Sequence, residues 1–354
     1  MNSPQSGKPP LRVLIVDDSV FNRRSLSEIL TGHEGIEVVG KAADGEEALR
    51  LVNALHPDAI TLDLEMPRMD GFTFLRILMS KMPTPVVVVS SYSQKDNVFK
   101  ALELGALDFV AKPDRHGDPD FAGISRELVQ KVMLASTIRM SPRIGSMVSE
   151  ATKSSTPSDV RRTPAPPRAV VAIGSSTGGP SALIEIFTRL PKNYAHAVVI
   201  AQHMPDKFTR TFAERLDRRS SLGVSEAQDR DTVTAGTGFV CPGRHCMDLE
   251  ADTRGGFRLR VTSPADTDRY IPSADRLLTS VARAAGSRAV GVILTGMGDD
   301  GVLGAQAILA AGGTVIAESD TTAVVYGMPG SAVRAGAVSV VLPLGEIASY
   351  LARL

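Results

Sequence analysis

The sequence predicts an α/β protein made of two modules, each built on a parallel sheet. Three observations carry that expectation. Short apolar runs alternate with amphipathic stretches over residues 11–112, the same alternation restarts at residue 170, and a proline- and serine-rich stretch separates the two series. At 354 residues the chain is also too long for one ordinary hydrophobic core.

In the first series the expected strands are LRVLIV (11–16), EVVGKA (37–42), DAITL (58–62), PVVVV (85–89) and DFVA (108–111). Helical spacing of apolar residues fills the intervals near 19–31, 45–55, 72–81 and 94–104, and a fifth helix fits 121–140. Strands alternating with helices of this length pair in parallel and are covered on both faces. Residues 141–168 hold five prolines and six serines and lack apolar periodicity, so this segment reads as a flexible linker. The second series expects strands VVAIG (170–174), AVVIA (197–201), AVGVILTG (289–296), TVIA (314–317) and VSVVLP (338–343). Its helices fit 181–189, 208–219, 273–285, 301–311 and 344–353. Between them, 224–262 is broken by Gly and Pro and reads as β-hairpins inserted at one edge of a doubly wound sheet. The expected division is 10–130, a helix end and linker over 131–168, and 169–354.

Composition excludes several classes. Lys+Arg and Asp+Glu both number 39, which disfavours a nucleic-acid partner. No apolar run approaches the ~20 residues that cross a bilayer, so no membrane insertion is expected. The N-terminal MNSPQSGKPPLRVLIVDD runs from a short apolar core into two acids, unlike a signal peptide. Cys241 and Cys246 are the only cysteines, which suits a reducing cytosol. With His245 they give too few ligands for zinc, and two thiols in a turn are expected.

Ligands of open parallel sheets bind beyond the carboxyl ends of the strands. In the first module those ends carry Asp17 and Asp18, then Asp63, Ser90 and Lys112. Three converging carboxylates repel one another and suit a hard cation, Mg²⁺ above all. Lys112 adds a point charge for an anion and Ser90 a hydroxyl, so metal, carboxylate nucleophile and phosphoryl group meet in one place. Asp63 is the expected acceptor, its carboxylate left exposed by the turn DLEMPRMDG. With LIVDDS, TLDLEMPRMDG, VVVVSS and DFVAKP, this region resembles the receiver domains of two-component response regulators, which are flavodoxin-like. The resemblance implies phosphorylation of Asp63 by a histidine kinase and Mg²⁺ among Asp17, Asp18, Asp63 and the Glu65 carbonyl. It also places Ser90 and Phe109 at the family's switch positions.

The second module opens with AIGSSTGGPSALIEIF, in which Ser176 lies between a strand and a helix. Three readings compete: helix cap, phosphate-cradle hydroxyl, or nucleophile. Neither GxxxxGK[ST] nor GxGxxG is present, so the phosphate readings fail. Ser, Thr and Gly are ordinary caps. Gly174-x-Ser176-x-Gly178 also fits a nucleophile elbow, with helix-start N–H groups available to an oxyanion. A nucleophilic serine needs a base and an orienting carboxylate. Of six histidines only His203, in VVIAQHMP, directly follows a strongly apolar strand, and VGVILTGMGDDG offers Asp299 and Asp300. The order Ser…His…Asp departs from that of α/β-hydrolases.

IGSSTGGP, AQHMP, ILTGMGDDG and VVYGMPG, in this order behind a receiver, resemble the catalytic domain of the chemotaxis protein-glutamate methylesterases, the CheB family. The resemblance implies Ser176 as nucleophile, His203 as base, Asp300 as orienting acid, and Thr177 and the Met297 backbone as supports. Asp299 departs from the family's usual Asn. Also implied are a phosphorylation-activated hydrolase of receptor glutamyl methyl esters that deamidates receptor glutamines, with no cofactor for the esterase step. Its expected partners are methyl-accepting chemotaxis receptors and a chemotaxis histidine kinase, in the cytoplasm. The alternatives are the same chemistry on a non-chemotaxis signalling array, or a receiver-controlled binding regulator without catalysis.

Overall fold

The computed structural model describes residues 9–91, 95–112, 121–135, 138, 165–253 and 255–354. Most of the expected linker, 139–164, therefore lies outside the described residues.

The first module runs β1 (Leu11–Val16), α1 (Val20–Thr31), β2 (Ile36–Ala42), α2 (Gly45–Leu55), β3 (Ala59–Leu62), α3 (Gly71–Lys81), β4 (Val86–Ser90), α4 (Lys95–Glu103), β5 (Asp108–Ala111) and α5 (Phe121–Ala135). The strands pair in parallel in the order β2-β1-β3-β4-β5. Every residue of β3, β4 and β5 is buried, as strands covered on both faces require. Side chains of Ser19, Asp44 and Asp70 accept from first-turn N–H groups and fix where α1, α2 and α3 begin.

The second module contributes β6 (Val170–Ser175), α6 (Gly179–Arg189), β7 (Ala197–Gln202), α7 (Asp206–Arg219), β8 (Gly223–Glu226), β9 (Thr232–Val233), β10 (Thr237–Val240), β11 (Cys246–Ala251) and β12 (Phe257–Thr262). It continues with α8 (Ala274–Ala285), β13 (Ala289–Ile293), α9 (Val302–Ala310), β14 (Thr314–Glu318), α10 (Met328–Arg334), β15 (Val340–Leu342) and α11 (Leu344–Leu351). Seven strands form a parallel sheet in the order β15-β14-β13-β6-β7-β10-β8. The chain leaves β6 toward β7 and later returns to its other side with β13. This reversal creates a crevice at the carboxyl ends of three adjacent strands.

The expectation for 224–262 holds only in part. β11 and β12 form an antiparallel hairpin with β9 beside it, whereas β8 and β10 extend the main sheet in parallel. Glycines in both strands hid them, although Gly238 lets β10 lie against the Val224 and Phe187 side chains. Helix α10 was not foreseen. It has seven residues with Pro329 in its first turn, too few for a periodic signal.

The two modules share one apolar cluster. Edge strand β5 and helix α4 face α7. Phe109 lies 4.6 Å from Phe208, and Phe99 stacks on Phe212 at 5.4 Å between ring centroids. Glu103 at the end of α4 pairs with Arg215 at 2.6 Å and Arg219 at 3.4 Å on α7. The sheet edge of the first module, which would otherwise expose unpaired backbone groups, is thus covered by the second.

Candidate active site and phospho-acceptor site

At the carboxyl edge of the first sheet, oxygens of Asp17, Asp18 and Asp63 lie within 4.8 Å of one another. Lys112 reaches Asp17 and Asp63, each at 2.7 Å. Burial works against its charge, but the two carboxylates outweigh that and hold the ammonium above its usual range. Burial pushes Asp63 up, and the Lys112 charge offsets only part of it. The expectation of an exposed Asp63 is corrected: it is 6% exposed, because Lys112 and the Leu64 N–H, at 2.8 Å, draw the carboxylate inward. Asp18 remains exposed. A trio of close carboxylates sharing a single lysine retains excess negative charge and oxygen donors, the chemistry that suits Mg²⁺. Ser90 is fully buried at the end of β4, and Phe109 is buried against Phe208.

In the second module Ser176, His203 and Asp300 follow the neighbouring strands β6, β7 and β13. Ser176 N–H donates to Thr295 O at 3.0 Å, and His203 N–H donates to Ser175 O at 3.0 Å, which ties the three strand ends together. His203 Nε2 lies 2.8 Å from Asp300 Oδ2. Asp300, 1% exposed, also accepts from Ala274 N–H at 2.7 Å and Asp275 N–H at 2.8 Å, the first turn of α8. Those bonds leave the carboxylate little freedom to turn. Asp299 points elsewhere, accepting from Tyr270 Oη at 2.9 Å and pairing with Arg269 at 3.5 Å. Between the two adjacent acids, geometry gives Asp300 to the imidazole.

The cap reading of Ser176 fails, since Gly178 is the α6 N-cap and no side chain bonds there. Among the described residues, His56, Arg68 and Arg230 are the non-glycine positions with positive φ, and the sharp turn falls on Gly178 at φ +79°. No Cβ fits Gly178 without crowding Val324, whose Cβ would lie 2.9 Å away. Among the described residues Ser176 Oγ has no hydrogen-bond partner, and its residue is half-buried. Catalytic contacts of this kind commonly close only around substrate.

Four positions carry the site without having been singled out from the sequence. Gln202, 1% exposed, donates through Nε2 to Ser176 O and His203 O, both at 2.9 Å, and accepts from Ser175 Oγ at 2.7 Å. Buried Glu318 accepts from Thr295 N–H at 2.8 Å and so fixes the loop beside Ser176. Tyr270 stacks on His203 with centroids 5.2 Å apart and planes 6° from parallel. Asp108, from β5 of the first module, accepts from Thr177 Oγ1 at 2.5 Å. Gln202 lies within AQHMP and could have been found there, whereas the other three meet the site only through the fold. Thr177 is 4% and Met297 40% exposed. Among the described residues no metal-ligating cluster includes Cys241, Cys246 or His245, and both thiols are free and buried.

An acid trio beneath a lysine, and a serine at the strand end next to a carboxylate-held imidazole, define a receiver carried on a serine-hydrolase-like module. A family model for CheB methylesterase matches residues 171–351, and one for the response regulator receiver domain matches 13–118. The chain belongs to the CheB methylesterase family. It is 45% identical to protein-glutamate methylesterase/protein-glutamine glutaminase 1 of Myxococcus xanthus, covering 99% of this chain and 98% of that protein. It is 46% identical to the corresponding protein 3 of Geobacter sulfurreducens, covering 95% of each. The crystal structure of the CheB methylesterase catalytic domain of Thermotoga maritima is similar over 52% of this chain and 97% of that one, at 40% identity and a TM-score of 0.51. The α/β class, with a parallel receiver sheet ahead of a parallel catalytic sheet, is as the sequence predicts.

Proposed function

We propose that this chain hydrolyses γ-glutamyl methyl esters on chemoreceptors, and the side-chain amides of receptor glutamines, under control of phosphorylation at Asp63. The observation that carries the reading is the His203–Asp300 bond at the strand end next to Ser176. Ser176 Oγ attacks the ester carbonyl as His203 takes its proton. Because Asp300 occupies Nε2, the nitrogen that receives the proton is Nδ1. His203 then returns the proton to the departing methoxide, methanol leaves, and the same imidazole activates the water that cleaves the acyl-enzyme. With a glutamine the leaving group is ammonia and the residues keep their roles. Thr177 and the Met297 backbone support the carbonyl oxygen, where a hydrogen-bond donor is worth about 10²–10³ in rate.

In the receiver, Asp17, Asp18, Asp63 and the Glu65 carbonyl would hold Mg²⁺, which when bound neutralises charge on the incoming phosphoryl oxygens. Asp63 is the acceptor, Lys112 steadies the phosphoryl group, and Ser90 and Phe109 respond to it. Phe109 supports this reading because it packs on Phe208 of the catalytic module. The unphosphorylated receiver restrains the esterase, and a chemotaxis histidine kinase is the donor. No helix among the described residues is long and apolar enough to cross a membrane, which suits an enzyme working on the cytoplasmic helices of receptors.

The test incubates purified chain with methyl-labelled receptor and measures volatile label, with and without a small phosphodonor. The proposal expects release that rises with phosphodonor and is abolished in Ser176→Ala. Undiminished release by Ser176→Ala would refute it.

A further inference from the structure

The contact between the modules reaches the active site through a hydrogen bond between Asp108 and Thr177. Asp108 heads β5 and is 6% exposed, and Thr177 immediately follows the nucleophile and is 4% exposed. Their hydrogen bond, at 2.5 Å, is made in a setting closed to water, where a charge-assisted bond is strong. Asp108 is itself tightly held. Its Oδ1 accepts from Phe109 N–H at 2.7 Å and pairs with Lys131 Nζ at 3.1 Å, and Lys131 also donates to Phe109 O at 2.6 Å. The oxygen facing Thr177, Oδ2, is therefore presented by a rigid group built on β5 and α5. Val324, whose side chain crowds Gly178 on the same loop, packs against the first module too.

A threonine hydroxyl has a single proton to donate. While Asp108 accepts it, Thr177 cannot offer it to the oxygen of a substrate. We propose that Asp108 is a positioning residue of the receiver that withholds the Thr177 hydroxyl from the developing oxyanion, and releases it when the receiver shifts. This inference rests on the catalytic reading above and goes further by making the restraint chemical as well as steric. Phe109 couples the two ends: it neighbours Asp108 in the strand, is the residue that Lys131 braces, and packs on Phe208. A movement of Phe109 would carry Asp108 with it.

The test measures methanol release from methyl-labelled receptor by the full chain without phosphodonor. Asp108→Ala should raise the basal rate about tenfold, a modest part of what an oxyanion donor contributes, and phosphodonor should then add little. The rise should persist in Thr177→Ser, which keeps the hydroxyl, and vanish in Thr177→Val, which does not. Asp108→Asn keeps an oxygen for Lys131 and serves if Asp108→Ala does not fold; it turns an NH2 group, which cannot accept the hydroxyl proton, toward Thr177 and should therefore raise the basal rate as well. Phosphate uptake from the phosphodonor verifies an intact receiver in every variant. An unchanged basal rate in a folded Asp108 variant overturns the proposal. So does an equal rise in the Thr177→Val background, which would show that the gain comes from loosened packing. Ser176→Ala in parallel keeps the two readings apart: if it is inactive while Asp108→Ala shows no gain, the latch alone fails.

Discussion

His203 presents Nε2, and not Nδ1, to Asp300 at 2.8 Å, while Asp300 is pinned by the N–H groups of Ala274 and Asp275. In the familiar triad the carboxylate holds Nδ1 and the serine meets Nε2. Here the carboxylate bonds the other ring nitrogen. Asp300→Asn should lower kcat by about 10³–10⁴-fold, since the amide imposes the wrong tautomer. It should also destabilise the chain by about 1–3 kcal/mol, because buried N–H donors lose an ionised acceptor. Steady-state methanol release and thermal melting check the two effects.

Tyr270 acts on His203 through its ring and on Asp299 through its hydroxyl. Tyr270→Leu removes the stack and should lower kcat by about 2–10-fold, the worth of an aromatic pair, whereas Tyr270→Phe should stay within about twofold. Equal losses in the two variants would assign the effect to Asp299.

Glu103 ties α4 of the receiver to Arg215 and Arg219. Partly exposed pairs contribute little, so Glu103→Lys should raise the basal esterase rate by only about 2–5-fold. The gain should shrink as salt rises toward 1 M, where screening is strong. A basal rate that stays at the wild-type level at low salt would count against the restraining contact.

Burial pushes Cys246 up to about 11 and Cys241 well above the usual thiol range. The thiolate is the reactive form, so raised values mean less of it at any given pH. At pH 8 the native chain should resist iodoacetamide on a timescale that labels the unfolded chain, with reactivity growing as pH approaches 11. Rapid labelling of the native chain at pH 8 would contradict structural thiols.

The strands were legible because both sheets are parallel and covered on two faces, which leaves continuous apolar runs such as VVAIG and AVVIA. Ser176 and His203 were legible as candidates because each stands directly beyond such a run, whereas Asp300 lies farther along the glycine-rich turn after β13 and was separated from Asp299 only by the family resemblance. What escaped the sequence depends on contacts between distant elements. Burial of Asp63 needs Lys112 from another strand, the Tyr270 stack needs the loop before α8, and the Asp108–Thr177 bond joins two modules. β8 and β10 escaped because each is a four-residue strand containing glycine, too short for a strong apolar run.

The proposed hydrolysis depends on Ser176 being a nucleophile activated by His203. The most direct measurement treats the full chain, with phosphodonor, with a serine-directed phosphonate and maps the adduct by peptide mass. An adduct is expected on Ser176, forming about 10²–10⁴-fold more slowly in His203→Gln, as loss of a general base requires. An adduct elsewhere, or Ser176 labelling at the same rate without the imidazole, would contradict it.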